Sequence, residues 1–168
     1  MDERIWTDTA PAMGDVISRT DVTVTRRFDP PAAYLVSGDI DAAMQTLCPG
    51  APMLGLLEDS ASASSYGIRI GRSTLLLVME KPLENAVGWQ AAGCGVSDAS
   101  DAYAAFDVSG KGASELLAEG GVVVHAGPSP SASISFAGIP SLITKHGAII
   151  RVWVTRASQC HVATFFKG

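Results

Sequence analysis

The sequence predicts an α+β protein, with antiparallel sheets, a few helices and duplicated strand-turn-helix halves. The stretch SDASDAYAAFDVSGKGASELLAEGG, from Ser97 to Gly121, reads as a strand, a glycine-containing turn and an amphipathic helix, and YLVSGDIDAAMQTLCPG, from Tyr34 to Gly50, has the same layout. Laying Val36-Ser37-Gly38 on Val108-Ser109-Gly110 also places Met44 on Leu116, as one unit used twice requires. Strands outnumber helices, and helices separate groups of antiparallel strands, which distinguishes α+β from a doubly wound parallel sheet.

Taken in order, residues 1–20 lack periodicity and read as a tail or arm, with Ile5 and Trp6 available to tuck onto the rest. Residues 21–168 read as one two-lobed domain, since 168 residues suffice for a sizeable single core. The alternating DVTVTRRF, Asp21 to Phe28, predicts an edge strand ended by Pro30-Pro31. Tyr34 and Val36 alternate into Ser37-Gly38, and Ile40, Ala43, Met44 and Leu47 give the following helix an apolar face. APMLGLLED reads as a strand and SASASS as a loop. Tyr66 to Ile70 and Ser73 to Met79 read as a hairpin turning at Gly71-Arg72. Pro82 suits a first helical position, which predicts a helix through Trp89.

In the second half Phe106 and Val108 alternate into Ser109-Gly110, and Ala113, Leu116 and Leu117 share a helix face that ends at Glu119-Gly120-Gly121. Gly121 to His125 reads as a short strand and GPSPSAS as a loop. Ala132 to Phe136, Ile139 to Thr144 and Ile149 to Thr155 read as strands, the last setting Ile149, Arg151, Trp153 and Thr155 against Ile150, Val152 and Val154. Ser158 to Phe166 closes the chain as a helix anchored by Val162, Phe165 and Phe166.

Composition narrows the function classes. Apolar residues make up 47% and charged residues 17%, against roughly 25% charged in an average soluble domain. Such a chain is either covered over part of its surface or simply rich in alanine and glycine. A net charge of −5 supplies no basic field for nucleic acid. The acidic N-terminus has no apolar signal region, and the longest apolar run, Leu75 to Met79, is too short to span a bilayer, so a cytoplasmic protein is expected. Cys48, Cys94 and Cys160 are odd in number and widely spaced, and predict neither disulfides nor a zinc site.

No catalytic constellation is expected. Gly-x-Ser-x-Gly is missing, and His125, His146 and His161 have no metal-ligand spacing and read as strand-end or surface side chains. Asp98 and Asp101 precede a strand, where carboxylates commonly cap turns. Gly110-Lys111-Gly112 lacks the remainder of a phosphate-binding loop.

The runs YGIRIGRSTLLLVMEKP from Tyr66, AAGCGVSDASDAYAAFDVSGKGASELLAEGGVVVH from Ala91 and ISFAGIPSLITKHGAIIRVWVTRASQCHVATFF from Ile134 together resemble the gamma subunit of heterotetrameric sarcosine oxidase. The positions that carry the resemblance are Gly71 with Leu75 to Met79, Val96-Ser97-Asp98, Val108-Ser109-Gly110, Leu116 to Gly120, and Val152 to Val154 with Ser158 and Phe165. It covers residues 66 to 166.

The resemblance implies the folate-binding aminomethyltransferase-like fold of glycine-cleavage T-proteins. It also implies a non-catalytic subunit that binds no cofactor itself. Its partners would be alpha, beta and delta-type subunits holding FAD, FMN, NAD and tetrahydrofolate, and the chain purified alone would expose an apolar patch or self-associate. Trp153, Phe165 and Phe166 are the expected partner contacts. The alternative is a tetrahydrofolate-binding one-carbon protein, with Asp98, Asp101 or Glu115 accepting hydrogen bonds from a pterin and Tyr66, Tyr103 or Trp153 stacking on it.

Overall fold

The computed structural model describes residues 10–27, 29–60, 62–122 and 129–168. The chain runs β1 (Val16–Arg19), β2 (Val22–Arg26), β3 (Ala32–Gly38), α1 (Ile40–Leu47), β4 (Met53–Leu54), β5 (Tyr66–Arg69), β6 (Thr74–Met79) and β7 (Gly88–Gln90). It continues β8 (Cys94–Asp98), β9 (Tyr103–Ser109), α2 (Ala113–Glu119), β10 (Ser133–Phe136), β11 (Ile139–His146), β12 (Ile149–Thr155), a 3-10 turn at Arg156–Ser158, and α3 (Gln159–Lys167). Two six-stranded sheets result. One has the order β1-β2-β9-β12-β11-β10 and is antiparallel throughout; the other, β4-β5-β6-β3-β8-β7, is antiparallel except for the β4–β5 pair.

The layers follow from side-chain alternation in strands buried on both faces. Tyr34, Val36, Leu75, Leu77 and Val96 point outward onto α1, where Ile40, Ala43 and Met44 cover them. Phe106, Val108, Val152 and Val154 point outward on the other sheet, under Leu116 and Leu117 of α2 and Val162 and Phe166 of α3. The inner faces meet through Ala33, Ile68, Leu76, Val78, Ala105, Leu142 and Trp153. The protein is therefore helix, sheet, sheet, helices, with three apolar layers between them.

The duplication is visible in the topology. β3-α1-β4-β5-β6 and β9-α2-β10-β11-β12 build matching halves, and each half receives a hairpin from elsewhere in the chain: β7-β8 lies beside β3, and β1-β2 beside β9. The hairpin that precedes each half in sequence is thus carried by the opposite sheet. Asp39 caps α1 by accepting a hydrogen bond from the Ala42 amide at 3.0 Å, whereas α2 starts at Gly112 with no side-chain cap.

Four expectations change. Val16–Arg19, expected to belong to an arm, forms the edge strand, so Val22–Arg26 lies second from the edge, between β1 and β9. No helix forms after Pro82. Asn85 takes φ +53°, which a right-handed helix cannot continue through, and Gly88–Gln90 instead pairs with β8. The strand expected at APMLGLLED shrinks to Met53–Leu54. Ile5, Trp6, Phe28 and most of the strand expected at Gly121 to His125 lie outside the described residues.

Candidate functional site

Two charged residues stand on inner-face positions of neighbouring strands. Asp107 of β9 and Arg151 of β12 are paired across the ladder, and Arg151 donates from Nε to Asp107 Oδ1 at 2.6 Å and from Nη2 to Oδ2 at 3.1 Å. The third donor, Nη1, reaches the Tyr66 hydroxyl on the opposite sheet at 3.0 Å, which ties the two sheets together. Burial works against the Arg151 charge, but the bonds to Asp107 and Tyr66 outweigh it and push its pKa up. Burial pushes the Tyr66 phenol up as well, with Arg151 opposing, so its proton stays on at neutral pH.

His146, at the end of β11, packs on Tyr66 with ring centroids 5.1 Å apart. Its Nδ1 lies 2.7 Å from Ser60 Oγ and its Nε2 3.1 Å from Thr144 Oγ1. Desolvation, helped by the Arg151 charge, lowers its pKa to about 4. A serine beside an imidazole invites a nucleophile reading, but Ser60 is fully buried, the imidazole is a poor base, and its far nitrogen meets a hydroxyl where an orienting carboxylate would be needed. The pair instead fastens the segment around Ser60 to β11. The unfolded chain, with a histidine near 6.5, takes up a proton that the folded chain resists down to about 4. Stability is therefore full above pH 6.5 and declines as the pH falls toward 4, and His146→Gln is expected to flatten that slope in urea titrations at stepped pH.

Tyr66, His146 and Arg151 line a pocket of about 440 Å³ where the two sheets meet, with Arg27, Asp29, Ser60, Ser62, Ser64, Glu80 and Trp153 around it. Trp153 is 1% exposed, and its indole Nε1–H has no acceptor among the described residues, a desolvation cost of about 1–3 kcal/mol. Asp29 joins Arg26 at 2.9 Å and Arg156 at 2.7 Å; burial opposes its charge, but the two guanidinium groups hold its carboxyl below the usual carboxylate range. A second cleft, of about 350 Å³, lies outside α2 between Arg19, Asp21, Lys111, Glu115 and Glu119. Its charges face solvent and pair locally, as in Arg19–Glu119 at 3.2 Å, so the inner pocket is the stronger candidate.

The residues expected from sequence do not converge. Asp98 ends β8 and accepts from the Ser100 amide at 2.8 Å, a turn contact that lowers its pKa. Asp101 is exposed in the next turn, 3.8 Å from Arg156, and Tyr103 is half-buried at the start of β9. Glu115 sits in the helix layer, on α2. Among the expected partner contacts, Trp153 and Phe166 are core residues of this chain and present no surface, because the strand and helix faces that carry them point into its own layers; Phe165 is half-buried against Phe136 and Phe166. Among the described residues the exposed aromatic is Trp89, 77% accessible on edge strand β7 next to Val87. Among the described residues no cluster of His, Cys, Asp and Glu could hold a metal, and no helix is long and apolar enough to cross a membrane.

Sequence reasoning missed Asp107, Arg151, His146 and Ser60 as a group. The available signal was a charged residue of each sign inside two otherwise apolar strands, at YAAFDVS and IIRVWVT.

No protein-family model and no curated protein matches the sequence. In three dimensions the chain is similar to a chain of the heterotetrameric sarcosine oxidase from Corynebacterium sp. U-96 in complex with pyrrole 2-carboxylate. The TM-score is 0.64 at 17% identity, over 90% of this chain and 85% of that one. The two share a fold.

Proposed function

We propose that this chain is the small, non-catalytic, gamma-type subunit of a cytoplasmic heterotetrameric complex of the sarcosine oxidase kind, which oxidatively demethylates sarcosine or a related N-methyl amine. The observation that carries this reading is the near end-to-end correspondence with one chain of such a complex: 90% of one and 85% of the other are aligned, so the counterpart is of similar length. In this reading FAD, FMN, NAD and tetrahydrofolate belong to the alpha, beta and delta-type partners, and this chain supplies contact surface to them.

Edge strand β7 favours that role, since Trp89 and Val87 are 77% and 62% exposed and exposed tryptophans often dominate interface energies. Coexpression with the three partner types is expected to yield one stoichiometric complex, with oxidase activity lost or unstable when this chain is omitted. Assembly and full turnover of the other three without it would overturn the reading. Trp89→Ser is expected to weaken association by about tenfold or more while moving the isolated chain's stability by no more than about 0.5 kcal/mol, measured by sedimentation and urea unfolding.

The alternative, tetrahydrofolate binding through Asp98, Asp101, Tyr103 and Glu115, has less support because Glu115 is on the outer helix layer and the other three lie along one turn. Titration of the chain with tetrahydrofolate tests it directly, and saturable heat would revive it.

A further inference from the structure

The geometry points to a binding site for a small organic monocarboxylate in the pocket between the two sheets. The argument starts from which polar groups there already have partners. Asp107 takes two bonds from Arg151 and a longer one, 3.4 Å, from Arg27. Asp29 takes Arg26 and Arg156, and Glu80 accepts from Ser64 at 2.9 Å. Asp107 and Asp29 are each held by two guanidinium groups and Glu80 stands exposed to solvent, while several donors are left over.

Three such donors belong to residues that line the pocket. Trp153 Nε1–H has no acceptor among the described residues. The Tyr66 hydroxyl accepts from Arg151 and shows no acceptor for its own proton among the described residues. Arg27, with 46% of its side chain exposed, makes one long contact, to Asp107, among the described residues. Buried donors without acceptors are uncommon in folded proteins and ask for a ligand that brings acceptors. A carboxylate does so with two oxygens.

The charge sets the valence. Arg151 is neutralised by its bidentate bond to Asp107 and is 5% exposed, so among the described lining residues the guanidinium open to an anion is Arg27, which suits a monoanion better than a phosphate dianion. The remaining lining is rings and aliphatic surface, from Tyr66, Trp153, Val78, Pro30 and Pro31, which favours a flat apolar body behind the carboxylate. Trp153 Nε1 lies beneath the pocket floor, so seating the ligand includes a small shift of that floor. The site is independent of the assembly reading, and either can fail without the other.

Benzoate is the probe, with benzyl alcohol as the uncharged control, titrated calorimetrically into the full chain with thermal shift in parallel. Saturable benzoate binding is expected, with benzyl alcohol weaker by about tenfold, or 1.4 kcal/mol. Trp153→Phe, which keeps a ring and removes the N–H, and Arg27→Gln, at the exposed rim, should each weaken benzoate by about tenfold. Arg27→Gln leaves the buried pair in place, so it reports even if Trp153→Phe destabilises the core. No heat and no thermal shift up to about 10 mM benzoate, equal binding of benzyl alcohol, or affinity unchanged in Arg27→Gln would each overturn the site.

Discussion

Asp107→Ala is expected to destabilise the chain by about 3–5 kcal/mol, because it leaves the Arg151 guanidinium, with 5% of its side chain exposed, buried with only the Tyr66 hydroxyl as a partner. At this chain length each kcal/mol moves the melting temperature by roughly 2–4 °C, so the loss is large enough to read by calorimetry or urea unfolding. The double variant Asp107→Leu with Arg151→Leu is expected to recover most of it and to stand within about 1 kcal/mol of the parent, since apolar replacement of a buried pair is often neutral or stabilising. The molecule contains its own precedent. Leu35 and Leu76 are directly opposed on β3 and β6, as Asp107 and Arg151 are on β9 and β12, and both pairs face the seam between the sheets. A loss below about 1 kcal/mol for the single change, or a double variant worse than the single, would show that the pair does not behave as a buried unit.

That comparison gives the pocket a physical origin. The two halves match in strand order, apart from the parallel β4–β5 pair where β10–β11 is antiparallel, and on the seam one carries leucines where the other carries an ion pair. Departures from a locally consistent pattern tend to mark functional or strained places. Here the departure coincides with the indole N–H that has no acceptor among the described residues, the spare phenol proton and the exposed Arg27 guanidinium. On the expectation that the double variant matches the parent, the ion pair adds little net stability over leucines, and what it supplies is a fixed position for Tyr66.

The outline of the fold was legible because its signals are local. The alternation of Tyr34 and Val36 and of Phe106 and Val108 into Ser-Gly, and the spacing of Ile40, Ala43 and Met44, depend only on chain period. The hairpin at Tyr66 to Met79 was equally plain, as its strands pair antiparallel around Gly71-Arg72. The helix expected after Pro82 failed because Asn85 is left-handed, a choice made by the hairpin's pairing with β8. Alternation in β12 separated Trp153 from Val152 but could not say which face met solvent, and neither did, since both strand faces are buried in a four-layer protein. The site itself was the least legible part. Ser60 and His146 meet from 86 positions apart, and Tyr66 and Arg151 from 85, distances over which one sequence carries no pairing information.

Gly38→Ala and Gly110→Ala are expected to cost about 2–6 kcal/mol each, from backbone strain of about 1–3 and steric overlap of about 1–3. Gly38 has φ +122°, and a Cβ there would come within 2.5 Å of the Gly93 carbonyl oxygen; Gly110 has φ +107°, and a Cβ would overlap the Asp21 carbonyl oxygen. Gly93 precedes β8 and Asp21 precedes β2, so each glycine is crossed by the turn of the hairpin laid beside its own half. Gly50→Ala separates the two causes, because Gly50 has φ +81° and nothing within 4 Å of the added carbon, leaving strain alone. Urea unfolding should therefore place the first two variants close to each other and both well below Gly50→Ala. If all three lose the same amount, the crossing hairpin is not what selects glycine. If Gly38→Ala and Gly110→Ala differ widely, the matched Ser-Gly turns do not perform matched work, and the equivalence of the halves stops at the path of the backbone.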